Sequence, residues 1–165
     1  MKEIDFRTDL LPLKNALYRL AYRITGRTDE AEDIVEDTLI KVWENRQELA
    51  NVKNLAAYCT TICRNLALDT IEKLSHRNVS LDDVNEEFST QRTPHHDLEH
   101  KELLDNVKKL MAQLPEIQRS CLHLRDVEGH SYEEIGEILN LTESQVKINI
   151  FRGRQKLREG LRIKS

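Results

Sequence analysis

The sequence predicts an all-α protein made of two small helical domains joined by a flexible linker, with a helix-turn-helix in the C-terminal domain. Its 165 residues include only five Gly and three Pro, fewer turn-forming residues than an all-β protein needs. Apolar residues recur at helical spacing in several segments. Residues 79–98 lack this spacing, so they divide the chain into domains at 1–78 and 99–165.

Three helices are predicted in the N-terminal domain. The first spans Leu10–Thr25 and ends at Gly26, the second is capped by Thr28 or Asp29, and the third is capped by Asn54. The apolar faces of the second and third helices comprise Ala31, Ile34, Val35, Thr38, Leu39, Val42 and Trp43, and Leu55, Tyr58, Cys59, Ile62, Cys63, Leu66, Ile71 and Leu74. Three such faces are expected to enclose one core.

The stretch 79–98 is predicted to be an acidic flexible linker. It carries one basic residue and five acidic residues, is rich in Ser, Thr and Asn, and contains Pro94. After it, an amphipathic helix with apolar positions from Leu103 to Leu114 is expected, and Pro115 is placed to begin a further helix that runs to about Asp126.

Two helix starts lie close together near the C-terminus. Ser131 with Glu134 and Thr142 with Gln145 each fit a capping box, in which a hydroxyl and a side chain three residues later satisfy free backbone amides. Asn140 can take the left-handed conformation of the tight turn between them. This spacing predicts a helix-turn-helix, and an ordinary helical hairpin with a basic, solvated face is the alternative.

The basic charge of the protein is concentrated at its C-terminal end. The net charge is −4, but residues 147–165 hold seven basic residues against Glu159 alone. Such a distribution favours nucleic-acid binding more than the net charge suggests. With Val146, Ile150 and Leu157 facing inward, the second helix of the motif would present Lys147, Phe151, Arg152, Arg154 and Lys156 to a DNA groove, although Phe151 is equally compatible with a core position.

Other function classes find little support. No apolar stretch approaches the roughly 20 residues that span a bilayer, and Met1–Leu13 has no signal-peptide core, so a cytoplasmic protein without membrane insertion is expected. The three cysteines are interpreted as buried thiols. His95, His96 and His100 with Asp97 form a poor metal cluster, for which incidental polarity is the preferred explanation.

Two parts of the chain resemble the extracytoplasmic-function (ECF) sigma factors, a branch of the sigma-70 family of RNA polymerase sigma factors. Their N-terminal domain is similar to DEAEDIVEDTLIKVWEN followed by NLAAYCTTICRNLALD, and their promoter-distal domain to LPEIQRSCLHLRDVEGHSYEEIGEILNLTESQVKINIFRGRQKLRE. Both matches occur in the family's order. The resemblance implies a protein without catalytic activity or cofactor that binds core RNA polymerase and promoter DNA.

The resemblance also implies the partners and the residues that meet them. The second helix would dock on the clamp of the beta-prime subunit through Asp33, Glu36, Asp37 and Ile40. The alternative is that these acids only complement the helix dipole. The beta flap of the polymerase and an anti-sigma factor are further implied partners.

Promoter contacts are implied at two places. The loop 46–54 and the third helix match the region where family members hold the unpaired minus-ten bases. Asn65 matches a base-contacting position, and the alternative is that Asn65 is a buried polar cap. Asp69 and Glu72 stand where many relatives have a dense basic cluster. The matching residues are Lys53, Asn54, Arg64, Asn65, Lys73 and Arg77 for the minus-ten region, and Ser144, Lys147, Ile148, Phe151, Arg152 and Arg154 for the minus-thirty-five duplex.

Within the second set, Ile148 replaces a small polar residue that is frequent in the family. Its side chain suits a thymine methyl group, which predicts an unusual promoter preference. Two other functions remain as alternatives: a helix-turn-helix regulator that does not bind core polymerase, and a metal-dependent nucleic-acid enzyme that uses the histidines.

Overall fold

The computed structural model of the protein describes residues 3–77 and 98–163. The chain divides into two compact units, Met1–Phe88 and Ser89–Ser165. Both units are helical, and the described residues contain no strand. The predicted linker 79–98 lies outside the described residues except for Leu98, which is already the first residue of a helix.

Within residues 3–77, the first unit contains three α-helices: α1 (Lys14–Thr25), α2 (Thr28–Glu44) and α3 (Leu55–His76). The predicted start of the first helix at Leu10 is wrong, because a π-helical turn, Phe6–Leu10, and a 3-10 turn, Leu11–Leu13, precede α1. Pro12 lies in the 3-10 turn, and a proline has no N–H to continue an α-helical ladder from the residues before it.

Two of the four predicted helix boundaries in this unit are confirmed. Gly26 ends α1 with φ of 71°, and its N–H donates to the Tyr22 carbonyl at 2.7 Å. Asn54 caps α3, since its side-chain oxygen accepts from the Ala57 N–H at 2.9 Å. The predicted cap of α2 is wrong: Arg27 occupies that position without a side-chain cap, and Asp29 accepts instead from the adjacent Glu30 N–H.

The core of the first unit lies where the three helices meet. Cys63 contributes to it with its thiol 3.4 Å from the Leu17 carbonyl, and Thr38 satisfies its own buried hydroxyl on the Ile34 carbonyl. Burying one large aliphatic side chain contributes about 1.5–3 kcal/mol. The fully buried or nearly buried apolar residues are Leu10, Leu17, Ala21, Ala31, Ile34, Val35, Leu39, Val42, Cys59, Cys63 and Ala67.

The described part of the second unit, residues 98–163, contains four α-helices: α4 (Leu98–Gln113), α5 (Glu116–Leu122), α6 (Tyr132–Leu139) and α7 (Glu143–Ile163). A π-helical turn, His123–Val127, continues α5. Pro115 directly precedes α5, as predicted. The apolar core of this unit comprises Met111, Leu114, Cys121, Leu122, Leu124, Ile135, Ile138, Leu139, Val146 and Ile150.

The turn between α6 and α7 has the predicted helix-turn-helix geometry. Both bonds of the Ser131–Glu134 capping box are present, and Thr142 and Gln145 exchange the equivalent pair at 2.9 and 3.1 Å. Asn140 is left-handed, with φ of 57°. At Gly136 a Cβ atom would lie 2.6 Å from the Leu141 carbonyl oxygen, so the tightness of the turn requires glycine there.

Candidate partner and nucleic-acid interfaces

One face of α2 carries the predicted polymerase-binding residues. Asp33, Glu36 and Asp37 are exposed, and Ile40 is 52% exposed. They alternate along the helix with Ile34, Thr38 and the other buried residues, so the helix separates an apolar inner face from an acidic outer face. The helix dipole favours acids only in the first turn, but the acids of α2 continue beyond that turn. The dipole therefore does not account for all of them. An isolated apolar residue within an acidic surface suits a basic partner.

A pocket of about 340 Å³ opens between the C-terminal part of α2 and α3. Asn65 lines it and is exposed, so the interpretation of Asn65 as a buried polar cap is wrong. Tyr58, predicted to face the core, also lines it and is 40% exposed. The pocket therefore combines an aromatic ring with two amides, those of Asn45 and Asn65. Its other lining side chains are apolar (Leu49, Ile62 and Leu66) or charged (Lys41 and Asp69).

The other residues predicted to contact minus-ten DNA are spread along α3 and the loop before it. Lys53, Lys73 and Arg77 are exposed, and Arg64 is half-buried. The Asn54 side-chain oxygen is engaged in capping α3. In the same loop, the Arg46 guanidinium lies 4.0 Å from the centre of the Trp43 ring and donates to the Trp43 carbonyl at 2.8 Å. Arg46 is thus engaged at the end of α2.

The predicted DNA-reading face of α7 is exposed. Phe151 is 65% exposed and Ile148 is 47% exposed, so a core position for Phe151 is excluded. Val146 and Ile150 are buried, as predicted, and Leu157 is half-buried. The helix thereby fixes its orientation with two buried aliphatic residues and presents on its outer side Ser144, Lys147, Ile148, Phe151 and Arg152.

Two of the basic side chains of α7 have acidic partners. Lys147 Nζ lies 3.7 Å from Glu143 Oε1, one turn earlier on the same helix. Arg154 is held by both oxygens of Asp126, with Nη2–Oδ1 at 2.5 Å and Nε–Oδ2 at 3.3 Å. The hydrogen bond that Arg154 donates to Asp126 raises the pKa of Arg154 above its ordinary value. Arg154, predicted to contact a phosphate, therefore has an intramolecular counter-ion.

Sequence reasoning missed an aromatic ring that lies beside Lys147 and a second basic side chain, Arg125. Tyr132, the first residue of α6, has the Arg125 guanidinium 4.3 Å and the Lys147 ammonium 5.5 Å from the centre of its ring. The motif spacing gave no signal for this cluster, because its members come from three elements: the π-helical turn, α6 and α7.

The chemistry of the described residues gives little support to the metal-enzyme alternative. His95, His96 and Asp97 lie outside the described residues, and His100 is exposed on α4. No three His, Cys, Asp or Glu side chains among residues 3–77 and 98–163 are grouped as metal ligands would be. Within those same ranges, no helix combines the length and the apolar character needed to cross a membrane.

Comparison with known families assigns the two units separately. Residues 12–77, which include α1, α2 and α3, match the model of Sigma-70 region 2. Residues 104–157, which include most of α4, all of α5 and α6, and the first two thirds of α7, match the model of Sigma-70, region 4. Together the two matches cover well over half of the chain.

Individual proteins of known type are similar over most of this chain. The ECF RNA polymerase sigma factor SigE of Mycolicibacterium smegmatis is 30% identical over 88% of this chain, which spans 57% of the length of that relative. SigW, an ECF sigma factor of Bacillus subtilis, is 29% identical, and the match covers 90% of this chain and 84% of SigW.

The fold is also found in solved structures. The sigma factor RpoE from Bartonella quintana, solved in complex with the anti-sigma factor NepR, is 29% identical with a TM-score of 0.74, covering 98% of this chain and 99% of RpoE. CnrH, solved with the cytosolic domain of CnrY, shares the fold with a TM-score of 0.68 at 20% identity. With region 2 and region 4 matched in succession, the chain belongs to the sigma-70 family, in its extracytoplasmic-function branch.

Proposed function

We propose that this protein binds core RNA polymerase and directs promoter-specific transcription initiation. The observation that carries the proposal is the succession of region 2 and region 4 in one chain, each with an exposed polar face at the positions predicted to meet a partner. A helix-turn-helix regulator that does not bind polymerase would have no use for region 2 with its acidic α2 surface, and that alternative is not favoured.

In this proposal α7 is the recognition helix for the minus-thirty-five duplex. The major groove admits an α-helix, and the residues exposed on the outer side of α7 would then face the edges of the bases. Lys147 suits the acceptors of guanine, whereas the exposed apolar side chains of Ile148 and Phe151 suit thymine methyl groups. Ser144, Arg152 and Arg154 would contact phosphates, which position the helix without reading sequence.

The pocket between α2 and α3 is assigned to the unpaired minus-ten strand. A volume of about 340 Å³ accommodates one nucleobase with room for water. Tyr58 offers a ring on which a base can stack, and the Asn65 amide offers a donor and an acceptor for its edge. Lys53, Arg64, Lys73 and Arg77 would meet the backbone of this strand, with Asn54 holding the start of α3. In this proposal, melting is driven by binding energy.

The proposed partners follow from the same two surfaces. Asp33, Glu36, Asp37 and Ile40 would bind the beta-prime clamp, and the second unit would meet the beta flap. RpoE was solved with the anti-sigma factor NepR, which supports an anti-sigma partner for this chain as well. A factor acting on core polymerase works in the cytoplasm.

A transcription experiment tests the proposal directly. Purified core RNA polymerase is combined with the full chain and a library of promoter sequences, and the transcripts are sequenced. We expect transcripts that start downstream of a shared pair of sequence elements and that depend on the added chain. Transcription that is the same with and without the chain would contradict the proposal.

A substitution tests the pocket separately. We expect Asn65→Ala to slow promoter opening on duplex DNA more than on a template already mismatched at the minus-ten region, because mismatched bases are already unpaired. Opening is followed with a fluorescent base in the minus-ten region, and Asn15→Ala, which removes an exposed amide of α1 outside the pocket, is the control. Equal defects on both templates would instead indicate a folding role for Asn65.

A further inference from the structure

The Tyr132 ring lies beside two cationic side chains that belong to two other elements of the second unit. Arg125 comes from the π-helical turn after α5, Tyr132 begins α6, and Lys147 lies in the second turn of α7. The guanidinium and the ammonium are 4.3 and 5.5 Å from the ring centre. Both distances are within the range of about 6 Å at which a cation is attracted to the face of an aromatic ring.

The ring itself is held in place by its surroundings. Tyr132 is half-buried, and the capping box formed by Ser131 and Glu134 fixes the start of its helix. Arg125 is anchored as well, since its Nη1 donates to the His130 carbonyl at 2.9 Å. Lys147 is the mobile member: its side chain is 57% exposed, and a lysine ammonium on a four-carbon stem has many rotamers.

The nearby acids do not position Lys147 in the same way. Glu143 lies one turn earlier on α7 and is 61% exposed, so the 3.7 Å ion pair with Lys147 is solvated and weak. Asp126 is engaged by Arg154. Tyr132 is therefore a fixed group on another helix within attractive range of the ammonium, and its attraction limits the directions in which Lys147 points.

We propose that Tyr132 is a positioning residue for Lys147, holding the ammonium over the reading face of α7 before DNA arrives. This inference rests on the proposed function, in which Lys147 contacts a base. A side chain already ordered in its bound direction loses less entropy on binding. Removing a cation–π contact of about 0.5–1 kcal/mol is expected to lower base discrimination about two- to fivefold. The salt dependence of binding is unchanged, because no charge is removed.

The test changes the electronics of the ring without changing its shape. Polymerase holoenzyme is prepared with the full chain carrying Tyr132→Phe, which keeps the cation-attracting face, or Tyr132→pentafluorophenylalanine, which loses it. Affinities are measured for the preferred promoter and for versions substituted at each minus-thirty-five base pair. We expect Tyr132→Phe to keep wild-type discrimination and the fluorinated ring to lose it about two- to fivefold at the base pair that Lys147→Ala also affects.

A second measurement observes the contact without DNA. The Lys147 side-chain methylene resonances are compared in the full chain with tyrosine or leucine at position 132, since a nearby ring shifts them. We expect the shift to be lost in Tyr132→Leu and kept in Tyr132→Phe, with Lys109 on α4 as the reference lysine. Should Tyr132→Leu fail to fold, the fluorinated variant still provides the test of discrimination.

The two proposals can fail separately. If Lys147→Ala lowers discrimination but the fluorinated ring and Tyr132→Leu change neither discrimination nor the Lys147 resonances, the positioning role is wrong and the reading face stands. If Lys147→Ala leaves base preference intact, Lys147 reads no base, and both the reading face and the positioning role are refuted. In the Lys147→Ala background, the fluorinated ring is expected to have no further effect on discrimination, and an effect there would also contradict positioning through Lys147.

Discussion

At the scale of single residues, the ion pair between Asp126 and Arg154 has the clearest consequence for DNA binding. The carboxylate engages the guanidinium through two hydrogen bonds, although both side chains remain more than 40% exposed. A phosphate that approaches Arg154 must replace this carboxylate. The pair thus opposes binding to every DNA sequence by about the strength of a surface salt bridge, roughly 0.2–1 kcal/mol.

We expect Asp126→Asn to strengthen binding of the holoenzyme to all promoters alike, by up to about fivefold at low salt. The gain should shrink as salt screens the competing charges. Equilibrium binding over a salt series measures it. Glu137→Gln removes an exposed acid from α6 of the same unit and controls for net charge. Equal effects of the two substitutions would show that Asp126 acts only through the overall charge.

The two buried cysteines of the first unit make its free energy of unfolding depend on pH. Burial raises the pKa of Cys59 to about 11 and that of Cys63 to about 12, from 9.0 in an exposed thiol. The folded state therefore holds these protons more tightly than the unfolded state, so their contribution is complete below pH 9 and is lost as the pH rises from 9 towards 11 or 12.

We therefore expect the free energy of unfolding of the first unit to fall between pH 9 and pH 11. Each thiol contributes a slope of at most about 1.4 kcal/mol per pH unit. Urea denaturation followed by circular dichroism measures this fall, and the double variant Cys59→Ala, Cys63→Ala should show a shallower one. An identical pH dependence in the variant would mean that lysines and tyrosines account for all of it.

Sequence reasoning located the residues whose role is local. Asn54, Ser131 and Asn140 act within a few residues of themselves, so motif spacing was sufficient to predict their caps and turn. The Asp126–Arg154 pair joins residues 28 apart, and its formation depends on how the π-helical turn packs beside α7. The prediction that Tyr58 faces the core was wrong for a related reason. Its spacing matches the apolar face of α3, but α2 does not cover that part of the face, and Tyr58 lines the pocket instead.

At the scale of elements, α2 acts as a two-sided helix whose outer face is the proposed polymerase contact. We expect charge reversal of Asp33, Glu36 and Asp37 to weaken binding to core polymerase by at least about a hundredfold, since like charges placed opposite one another cost several kcal/mol. The fold should survive, because all three side chains are exposed. Binding to labelled core polymerase measures the effect.

The matched control for this prediction reverses three exposed acids of the first unit that lie outside α2, Glu3, Glu48 and Glu72, which changes the net charge equally. A folded α2 variant that binds core polymerase as tightly as this control would remove the assignment of that face. Thermal unfolding of both variants shows whether either has lost its fold.

Helix boundaries show what element-level patterns can and cannot predict. The apolar period of the first helix continues back to Leu10, which is indeed buried, yet the backbone from Phe6 to Leu13 adopts tighter and wider turns instead. The spacing of apolar residues indicates which side of a segment faces the core. It does not indicate which hydrogen bonds the backbone makes. Pro12 was the signal that an α-helix would not extend through this segment.

At the scale of the whole molecule, the basic charge proposed for binding duplex DNA lies at the C-terminal end, apart from the acidic α2 face proposed for binding polymerase. Residues 1–78 hold twelve basic and thirteen acidic residues, whereas the last nineteen residues hold seven basic residues and one acid. In the proposed function, the affinity for duplex DNA thus comes from a short basic segment on a chain of net charge −4. One recognition helix with few phosphate contacts gives weak binding by itself.

Core polymerase is expected to supply the missing affinity. When the chain is bound to core through α2, its recognition helix and its α3 pocket are presented to one promoter together, so the second contact forms at a high effective concentration. We expect core enzyme to raise the affinity of the full chain for its preferred promoter by at least about a hundredfold, within the range that linked binding sites provide. Fluorescence anisotropy of labelled promoter, with the chain alone, core alone and both together, measures the three affinities. Tight, sequence-specific binding by the chain alone, unchanged by core, would instead identify the protein as a regulator that does not act through polymerase, and the acidic face of α2 would need another partner.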